Sequence, residues 1–273
     1  MENFSVLMSV YYKERPEFFD LSLESNLVTQ TLKPNEFVLI CDGALTPELE
    51  SVISKYQALF PDILKVYRKE NGGLGKALNF GLPKCSYPLV ARADSDDVSV
   101  PERFQLQVKY FEEHPEVGII GGNIEEFLLD WHITERTKKM PLKHEELCHM
   151  AALRNPLNHM TVMMRRDVIL RIGSYRHMPF NEDYDLWVRA IISGVKIANI
   201  NKVLVHARIG NGMIRRRSNW KCINSRRKIG KNLMKAGMIN RVTYMRNLGA
   251  FVAFEFMPTG LKKCIYKNIL RKS

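Results

Sequence analysis

The sequence predicts an α/β fold with a mostly parallel central sheet flanked by helices, followed by a basic helical C-terminal extension. Two observations carry this prediction. In the first hundred residues, short apolar runs alternate with helix-length amphipathic stretches, the pattern of β-α units joined by right-handed crossovers. Beyond residue 207 the composition changes from slightly acidic to strongly basic. We therefore divide the chain into an α/β domain over residues 1–207 and a basic, amphipathic, mostly helical region over residues 208–273.

Each predicted element follows from its local pattern. The predicted strands are apolar runs that end at polar or glycine-containing turns: Phe4–Tyr12, Phe37–Cys41, Ile63–Tyr67, Pro88–Ala93 and Val117–Ile120. The predicted helices carry apolar residues at helical spacing: the stretch from Pro16, Pro47–Phe60, Leu74–Leu82, Glu102–His114 and Asp183–Ile192. Residues 121–165 are less regular, which suits a mixed-sheet extension.

The formal charge of +12 is distributed unevenly. Residues 1–207 hold 24 Lys and Arg against 28 Asp and Glu, whereas residues 208–273 hold 17 against Glu255 alone. This split argues against a uniformly basic nucleic-acid-binding protein and indicates a tail that meets an anionic partner.

The five cysteines form no C-x-x-C pair, which excludes a zinc ribbon of that type and favours reduced thiols in a cytoplasm. The chain lacks a run of roughly 18 uncharged apolar residues, so we expect no spanning helix.

Carboxylates cluster where predicted parallel strands end. Asp42 follows the second strand, and Asp94-Ser95-Asp96-Asp97 follows the fourth. Ligands of such sheets bind at the carboxyl ends of the strands. Asp94 and Asp96 have the spacing to share one hard divalent cation, which typically also contacts substrate phosphates. The alternative is a polar turn that caps the next helix.

Two other segments contain candidate ligand-binding or catalytic residues. Asn71-Gly-Gly-Leu-Gly-Lys-Ala-Leu-Asn79 places glycines and Lys76 where a backbone could approach a ligand closely, although an ordinary helix start is the alternative. Glu182 and Asp183 open a helix, where acidic residues favour the dipole, and one of them could instead act as a general base. Trp187 lies one helical turn after Asp183. It either forms the floor of a sugar-binding site or packs in the core.

Two segments nearer the C-terminus are less specific. Asn155-Pro-Leu-Asn-His159 contains a lone histidine, which is more often structural than catalytic. Arg208-Ile-Gly-Asn211-Gly-Met213, with Arg215–Arg217 after it, is typical either of a flexible loop facing an anion or of a solvated charged face.

In this order and spacing, the segments resemble the inverting glycosyltransferases of family 2, which have the GT-A fold. The resemblance rests on Ser9–Tyr12, Cys41–Gly43, Asn71–Asn79, Ala91–Asp97, Pro101-x-Arg103 with Gln107, and Glu182–Trp187, and it covers roughly residues 4–207. Residues 155–159 and 208–213 are more specifically similar to bacterial enzymes of O-antigen and exopolysaccharide assembly, the amylovoran-type subgroup.

The resemblance implies roles for matched residues. Tyr11, Asp42, Lys76, Asn79 and Asp94 would bind the donor, and Asp96 would bind Mn²⁺ or Mg²⁺ on its diphosphate. Asp183 matches the catalytic base, with Glu182 beside it. Residues that would contact the acceptor or the diphosphate are His159, Trp187, Arg208 and Asn211. This chain has His206-Ala-Arg208 where the family often has Arg-x-His, which leaves the role of His206 open.

The implied reaction moves a hexose from a UDP-sugar, UDP-glucose or UDP-galactose, to an undecaprenyl-diphosphate-linked saccharide, with a β-linkage in the product. A sugar nucleotidyltransferase is the alternative enzyme, and a non-catalytic nucleic-acid-binding protein is the alternative of another class. We expect a peripheral protein at the cytoplasmic face of the bacterial cell membrane, without a nucleic-acid partner.

The tail mixes basic and apolar residues, which is typical of elements that lie on anionic membranes. The alternative is that its helices cap the α/β domain. Its apolar residues are Trp220, Ile223, Ile229, Leu233, Met234, Phe251, Phe254, Phe256, Leu261, Ile265 and Ile269.

Overall fold

Alternating strands and helices form the first part of the chain. The computed structural model describes residues 2–210 and 220–257. Apolar runs that were predicted as strands form buried strands, and the amphipathic stretches between them form helices. The elements are β1 (Phe4–Val10), α1 (Pro16–Leu23), β2 (Glu36–Asp42), α2 (Pro47–Leu59), β3 (Leu64–Lys69), α3 (Leu74–Gly81) and β4 (Leu89–Ala93).

The remaining elements extend the sheet and add two C-terminal helices. They are β5 (Val98–Ser99), α4 (Arg103–Glu113), β6 (Val117–Phe127), β7 (Arg136–Lys138), α5 (His144–Ala151), β8 (Met163–Arg165), α6 (Arg166–Arg171), α7 (Glu182–Ile192), β9 (Lys196–Arg208), α8 (Trp220–Lys235) and α9 (Arg241–Phe256). Strand β6 is much longer than the sequence pattern predicted. None of the helices over residues 2–210 and 220–257 is long and apolar enough to cross a bilayer.

The strands of the described residues form one sheet in the order β3-β2-β1-β4-β8-β6-β9-β5, and β7 pairs with β6. Neighbours from β3 to β4 are parallel, as predicted. Beyond β4 the sheet is mixed, because β8 runs antiparallel to both β4 and β6 while β6 and β9 are parallel. The irregular pattern of residues 121–165 reflects this change: β7 follows β6 after a loop too short for a crossover helix, so the two pair antiparallel.

The sheet register brings the ends of separate strands to one edge. Val10 of β1 lies beside Cys41 of β2, and Met8 lies beside Ala93 of β4. Consequently the residues that follow these strands share that edge. On the other half of the sheet, Arg208 at the end of β9 pairs with Phe127 at the end of β6.

Helices cover both faces of the sheet. One apolar cluster joins β1 and β2 to α1, α2 and α4, and the other joins the opposite sheet face to α3, α5, α6 and α7. Helix α8 buries Ile229 and Leu233 against Tyr184 and Val188 of α7. Ile223 is buried as well, so these three isoleucine and leucine side chains do not face a membrane, and the capping alternative is correct for them.

Alanine substitution of glycines on two helices should change the stability of the protein in opposite directions. A Cβ on Gly81 of α3 would lie 2.6 Å from Cδ1 of Leu7, whereas a Cβ on Gly249 of α9 meets nothing within 4 Å. We expect Gly81→Ala to lower the free energy of unfolding by about 1–3 kcal/mol through overpacking. Gly249→Ala is the matched control and should raise it by up to about 1 kcal/mol, because alanine favours a helix. Urea unfolding of both variants tests this, and a stabilised Gly81→Ala variant would contradict the close packing of α3.

Candidate active site

The acidic loop after β4 is built into the end of the sheet. Asp94 pairs with the guanidinium of Arg92, whose own exposure is 2%. The hydroxyl of Ser22 donates to the carbonyl oxygen of Asp94 at 2.7 Å, and the hydroxyl of Ser95 donates to Glu14 at 2.6 Å. The loop is therefore held by residues of β4 and by the segment that follows β1.

Arg208 ties the end of β9 to the same loop. Its backbone N–H donates to Oδ1 of Asp97 at 2.7 Å, and its Nε donates to the carbonyl oxygen of Asp96 at 3.1 Å. The guanidinium carbon lies 3.6 Å from the centroid of the Phe18 ring and 4.5 Å from that of Phe127. Arg208 thus places a buried positive charge between two aromatic rings at the acidic loop.

The concentration of carboxylates perturbs their ionisation. Burial and the neighbouring carboxylates of Asp94 and Glu14 raise the pKa of Asp96 to about 7, against the opposing guanidinium groups of Arg92 and Arg208. Burial and Asp96 likewise raise the pKa of Asp97 well above its usual value. Bringing a further cation to this loop would relieve the repulsion among these groups.

In the glycine-containing loop before α3, backbone N–H groups donate hydrogen bonds to Asp42. Asp42 accepts the backbone N–H of Gly72 at 2.9 Å and that of Gly73 at 2.8 Å, and it pairs with Nζ of Lys69 at 2.7 Å. Asn71 donates its side-chain N–H to the carbonyl oxygen of Asp42 at 2.8 Å. Asp42 therefore fixes this loop.

Gly75 allows α3 to approach the first turn of α7. A Cβ at this position would lie 2.9 Å from the carbonyl oxygen of Arg176 and 3.1 Å from Cβ of Glu182. This close approach is between two parts of the protein, so the packing of α3 against α7 accounts for a glycine at this position. Lys76 and Asn79 lie exposed on α3, three residues apart and so on one side of the helix. Tyr11 is half-buried just after β1.

Asp183 lies in the first turn of α7 with both carboxylate oxygens engaged. Oδ1 accepts the backbone N–H of Tyr184 at 2.8 Å. Oδ2 accepts a hydrogen bond from the side-chain amide of Asn155. The predicted helix start is confirmed to within one residue, and the segment of residues 155–159 contacts it.

Tyr175 is a buried tyrosine whose ionisation is influenced by carboxylates of the acidic loop and of α7. Its hydroxyl lies 2.9 Å from Nε2 of His159. Burial raises the pKa of Tyr175; Arg92 opposes this, and the negative charges of Asp183, Glu182 and Asp94 reinforce it. One buried hydroxyl is therefore within electrostatic reach of both groups of carboxylates. Burial and Arg92 also lower the pKa of His159 well below its usual value, which keeps this imidazole neutral.

The other residues predicted to contact the acceptor or diphosphate lie in different surroundings. Trp187 is 0% exposed in the core, with its ring 5.9 Å from that of His159, so its position fits the packing alternative. His206, to which the sequence assigned no role, lies with Nδ1 3.3 Å from Oε2 of Glu125. Asn211 and Arg215–Arg217 lie outside the described residues.

Sequence reasoning missed three contributors to the site. Glu14 follows β1, and its place beyond the end of a predicted parallel strand was the available signal. Arg92 is a charge within an otherwise apolar central strand, which by itself indicates a buried partner. Tyr175 carries no local signal, because its contact with His159 joins two segments of the folded chain.

Family comparison agrees with this geometry. The sequence model of Glycosyl transferase family 2 matches residues 5–173. The chain belongs to this family. The matched range contains the acidic loop and the segment of residues 155–159, while α7 follows it. The predicted GT-A fold is confirmed by solved glycosyltransferase structures that share it.

The curated relatives include glycosyltransferases of amylovoran and O-antigen biosynthesis. The chain is 43% identical over 222 residues to the amylovoran biosynthesis glycosyltransferase AmsE of Erwinia amylovora, covering 81% of this chain and 82% of the relative. It is 33% identical to the UDP-Gal:alpha-D-GlcNAc-diphosphoundecaprenol beta-1,3-galactosyltransferase of Escherichia coli, covering 98% of this chain and 97% of that enzyme. The amylovoran-type resemblance is thereby confirmed.

Solved structures share the fold at low identity. S. aureus TarS 1–349 in complex with UDP-GlcNAc has a TM-score of 0.68 at 20% identity, covering 98% of this chain and 76% of that one. A mannosyltransferase from Pyrobaculum calidifontis, in complex with GDP-Man and Mn²⁺, has a TM-score of 0.63 at 16% identity, covering 92% and 69%. The chain spans 44% of a longer TarS chain.

The raised pKa of Asp96 predicts a stability effect. The native state resists ionising this group, so its stabilising contribution is complete below the usual pKa near 3.8 and is lost as pH rises through about 7. In buffer with EDTA, we expect Asp96→Asn to unfold at a temperature about 3 °C or more above wild type at pH 8, by a smaller margin at pH 5, and at the same temperature once the pH is below 3.8. Asp62→Asn, at an exposed position, should match wild type at each pH. A lower midpoint of Asp96→Asn at pH 8 would contradict the buried repulsion.

Proposed function

We propose that this glycosyltransferase is a metal-dependent inverting enzyme. It would move a hexose from UDP-galactose or UDP-glucose to a sugar on undecaprenyl diphosphate, forming a β-linkage in an O-antigen or exopolysaccharide repeat unit. The observation that carries the proposal is the buried acidic loop, Asp94–Asp97, after β4, together with Asp183 in the first turn of α7; the negative charges of both act on the buried hydroxyl of Tyr175. Similarity to a galactosyltransferase that acts on a diphosphoundecaprenol-linked sugar supports the donor and the acceptor.

The donor would lie across the carboxyl edge of β1, β2 and β4. Tyr11 would stack on the base, Asp42 would sit beside the ribose, and Asp94 would contact the ribose or the sugar. Lys76 and Asn79, which are exposed on α3, would contact the outer part of the donor. Arg208 supports this orientation because its guanidinium places a positive charge beside the loop that would face the diphosphate.

A divalent cation fits the acidic loop. Among the described residues, no group of three His, Cys, Asp or Glu side chains forms a complete metal cage. Mg²⁺ and similar hard cations, however, are commonly bound through one or two carboxylates plus substrate phosphates. Asp96, whose ionisation is suppressed by neighbouring carboxylates, would be the protein ligand. When bound, Mn²⁺ or Mg²⁺ would neutralise charge on the departing UDP.

Asp183 would be the general base. It would remove the proton of the acceptor hydroxyl as that oxygen attacks the anomeric carbon and the bond to UDP breaks. Attack opposite the leaving group inverts the centre, so an α-linked donor gives a β-linked product. Glu182 beside it would bind an acceptor hydroxyl. Membership of the glycosyltransferase family replaces the sugar nucleotidyltransferase alternative.

Turnover with defined substrates tests the proposal. Purified protein is incubated with a panel of UDP-sugars and a synthetic lipid-diphosphate-GlcNAc, with Mn²⁺ or with EDTA, and the product linkage is determined by NMR. We expect transfer from UDP-galactose or UDP-glucose, a β-linkage and loss of turnover in EDTA. Asp183→Asn and Asp96→Ala should each reduce kcat by at least about 10³-fold without unfolding the protein.

The experiment includes a matched control, and three results would each contradict a part of the proposal. Asp62→Asn, away from the site, should retain wild-type turnover. Full activity in EDTA would exclude the metal-dependent mechanism, and an α-linked product would exclude inversion. Retention of most activity in Asp183→Asn would reassign the base.

We further propose that α8 and α9 bind an anionic membrane surface at the cytoplasmic face. Trp220 and Phe256 are 70% and 62% exposed, and their ring centroids lie 5.4 Å apart, so the two helices present one aromatic pair. Exposed Lys228 and Lys231 lie on α8. Aromatic and basic side chains together favour the headgroup layer, where a lipid-linked acceptor would be found. Leu261, Ile265 and Ile269 lie outside the described residues.

Vesicle flotation tests the membrane proposal. We expect the protein to float with vesicles containing anionic lipid and not with neutral ones, and 0.5 M salt should reduce the floating fraction. The double variant Trp220→Ser with Phe256→Ser should lower that fraction several-fold. Leu59→Ser, which changes an exposed apolar residue on α2, is the matched control and should float as wild type. Equal flotation with both vesicle types would contradict the electrostatic part.

A further inference from the structure

We infer that Asn155 is a positioning residue that orients the carboxylate of Asp183 for proton removal. This inference rests on the proposed function, in which Asp183 is the general base. The side-chain N–H of Asn155 donates to Oδ2 of Asp183, and the backbone N–H of Tyr184 donates to Oδ1 at 2.8 Å. With one donor on each oxygen, rotation of the carboxylate is restricted.

Asn155 is itself held from its other side. Its Oδ1 accepts the backbone N–H of Leu157 at 3.3 Å, a local turn that sets the side-chain direction. The amide therefore acts as an acceptor toward its own segment and as a donor toward α7. An amide can do both, whereas an ionised carboxylate offers no donor and an ammonium offers no acceptor.

The segment that precedes Asn155 is fixed to the same helix and to the C-terminal helices. The hydroxyl of Tyr184 donates to the carbonyl oxygen of Ala151 at 2.6 Å. Two side chains from the C-terminal helices hold the next two carbonyl oxygens, Asn247 to Ala152 at 3.0 Å and Arg226 to Leu153 at 2.8 Å. Asn155 is thus presented to Asp183 by a segment anchored from three helices.

A neutral donor suits a general base. An amide stabilises the ionised carboxylate and fixes its direction without adding a charge of its own. Removing the donor should therefore impair proton transfer while leaving donor binding, which lies at the other edge of the site, unchanged. The acidic limb of the pH–rate profile should move to higher pH, because the charged form loses a hydrogen bond.

The decisive variant is Asn155→Asp. It keeps the shape and the acceptor toward Leu157 but replaces the donor with a carboxylate beside Asp183. We expect kcat at pH 7 to fall about 10- to 100-fold, KM for the UDP-sugar to stay within twofold, and the acidic limb of kcat/KM to rise by about one pH unit. Asn155→Ala should lower kcat with a smaller displacement of the limb.

Asn3→Ala is the matched control, since it removes an exposed asparagine side chain just before β1, at the amino ends of the parallel strands and so opposite the site. It should leave kcat and the pH profile at wild-type values. Unchanged kcat and pH profile in Asn155→Asp would overturn the inference, as would equal losses in Asn155→Ala and Asn3→Ala, which would indicate an effect not specific to Asn155.

An NMR titration of the Asp183 carboxyl carbon, in wild type and Asn155→Ala, separates this inference from the proposed function. A midpoint displaced to higher pH in the variant supports the contact even if no sugar is transferred, and an unmoved midpoint overturns it. Failure of the wild-type enzyme to transfer from any UDP-sugar would overturn the proposed function alone.

Discussion

The structure depends on how it balances negative charge at one edge of its sheet. Asp94, Asp96 and Asp97 follow a single strand, and burial makes their mutual repulsion costly. Arg92 comes from within that strand, and Arg208 comes from the last strand of the sheet. Both guanidinium groups are nearly excluded from water. The fold thus brings two cations to the loop and still leaves Asp96 difficult to ionise, a condition that favours binding of a further cation.

The mixed part of the sheet completes this arrangement. Parallel β-α units alone would provide Asp42 and the acidic loop at their carboxyl ends. Strand β9 must pass beside β5 and β6 for Arg208 to reach that loop. The segment between β7 and β8 then carries Asn155 to the first turn of α7. Half of the site therefore depends on strands and loops whose sequence pattern is irregular.

Individual residues show how far the sequence could predict the site. Asp94, Asp96 and Asp183 could be predicted as candidates, and their positions after a strand and at a helix start are confirmed, because such positions follow local rules. Gly72 and Gly75 were predicted to let the backbone approach a ligand closely, but the groups that lie close to them are Asp42 and α7, which no local pattern reveals. Trp187 has the spacing of a site residue and lies in the core, because helix periodicity does not show which face meets the sheet.

By itself, the sequence determined the alternation of strands and helices, the carboxylates at strand ends and the uneven charge of the tail. These features depend on residues close together in the chain, where propensity and periodicity act. Only the tertiary structure decided which charges neutralise the acidic loop, that Asn155 meets Asp183, and that the inner face of α8 is buried. Those contacts join residues far apart in sequence, and packing rather than local preference selects them.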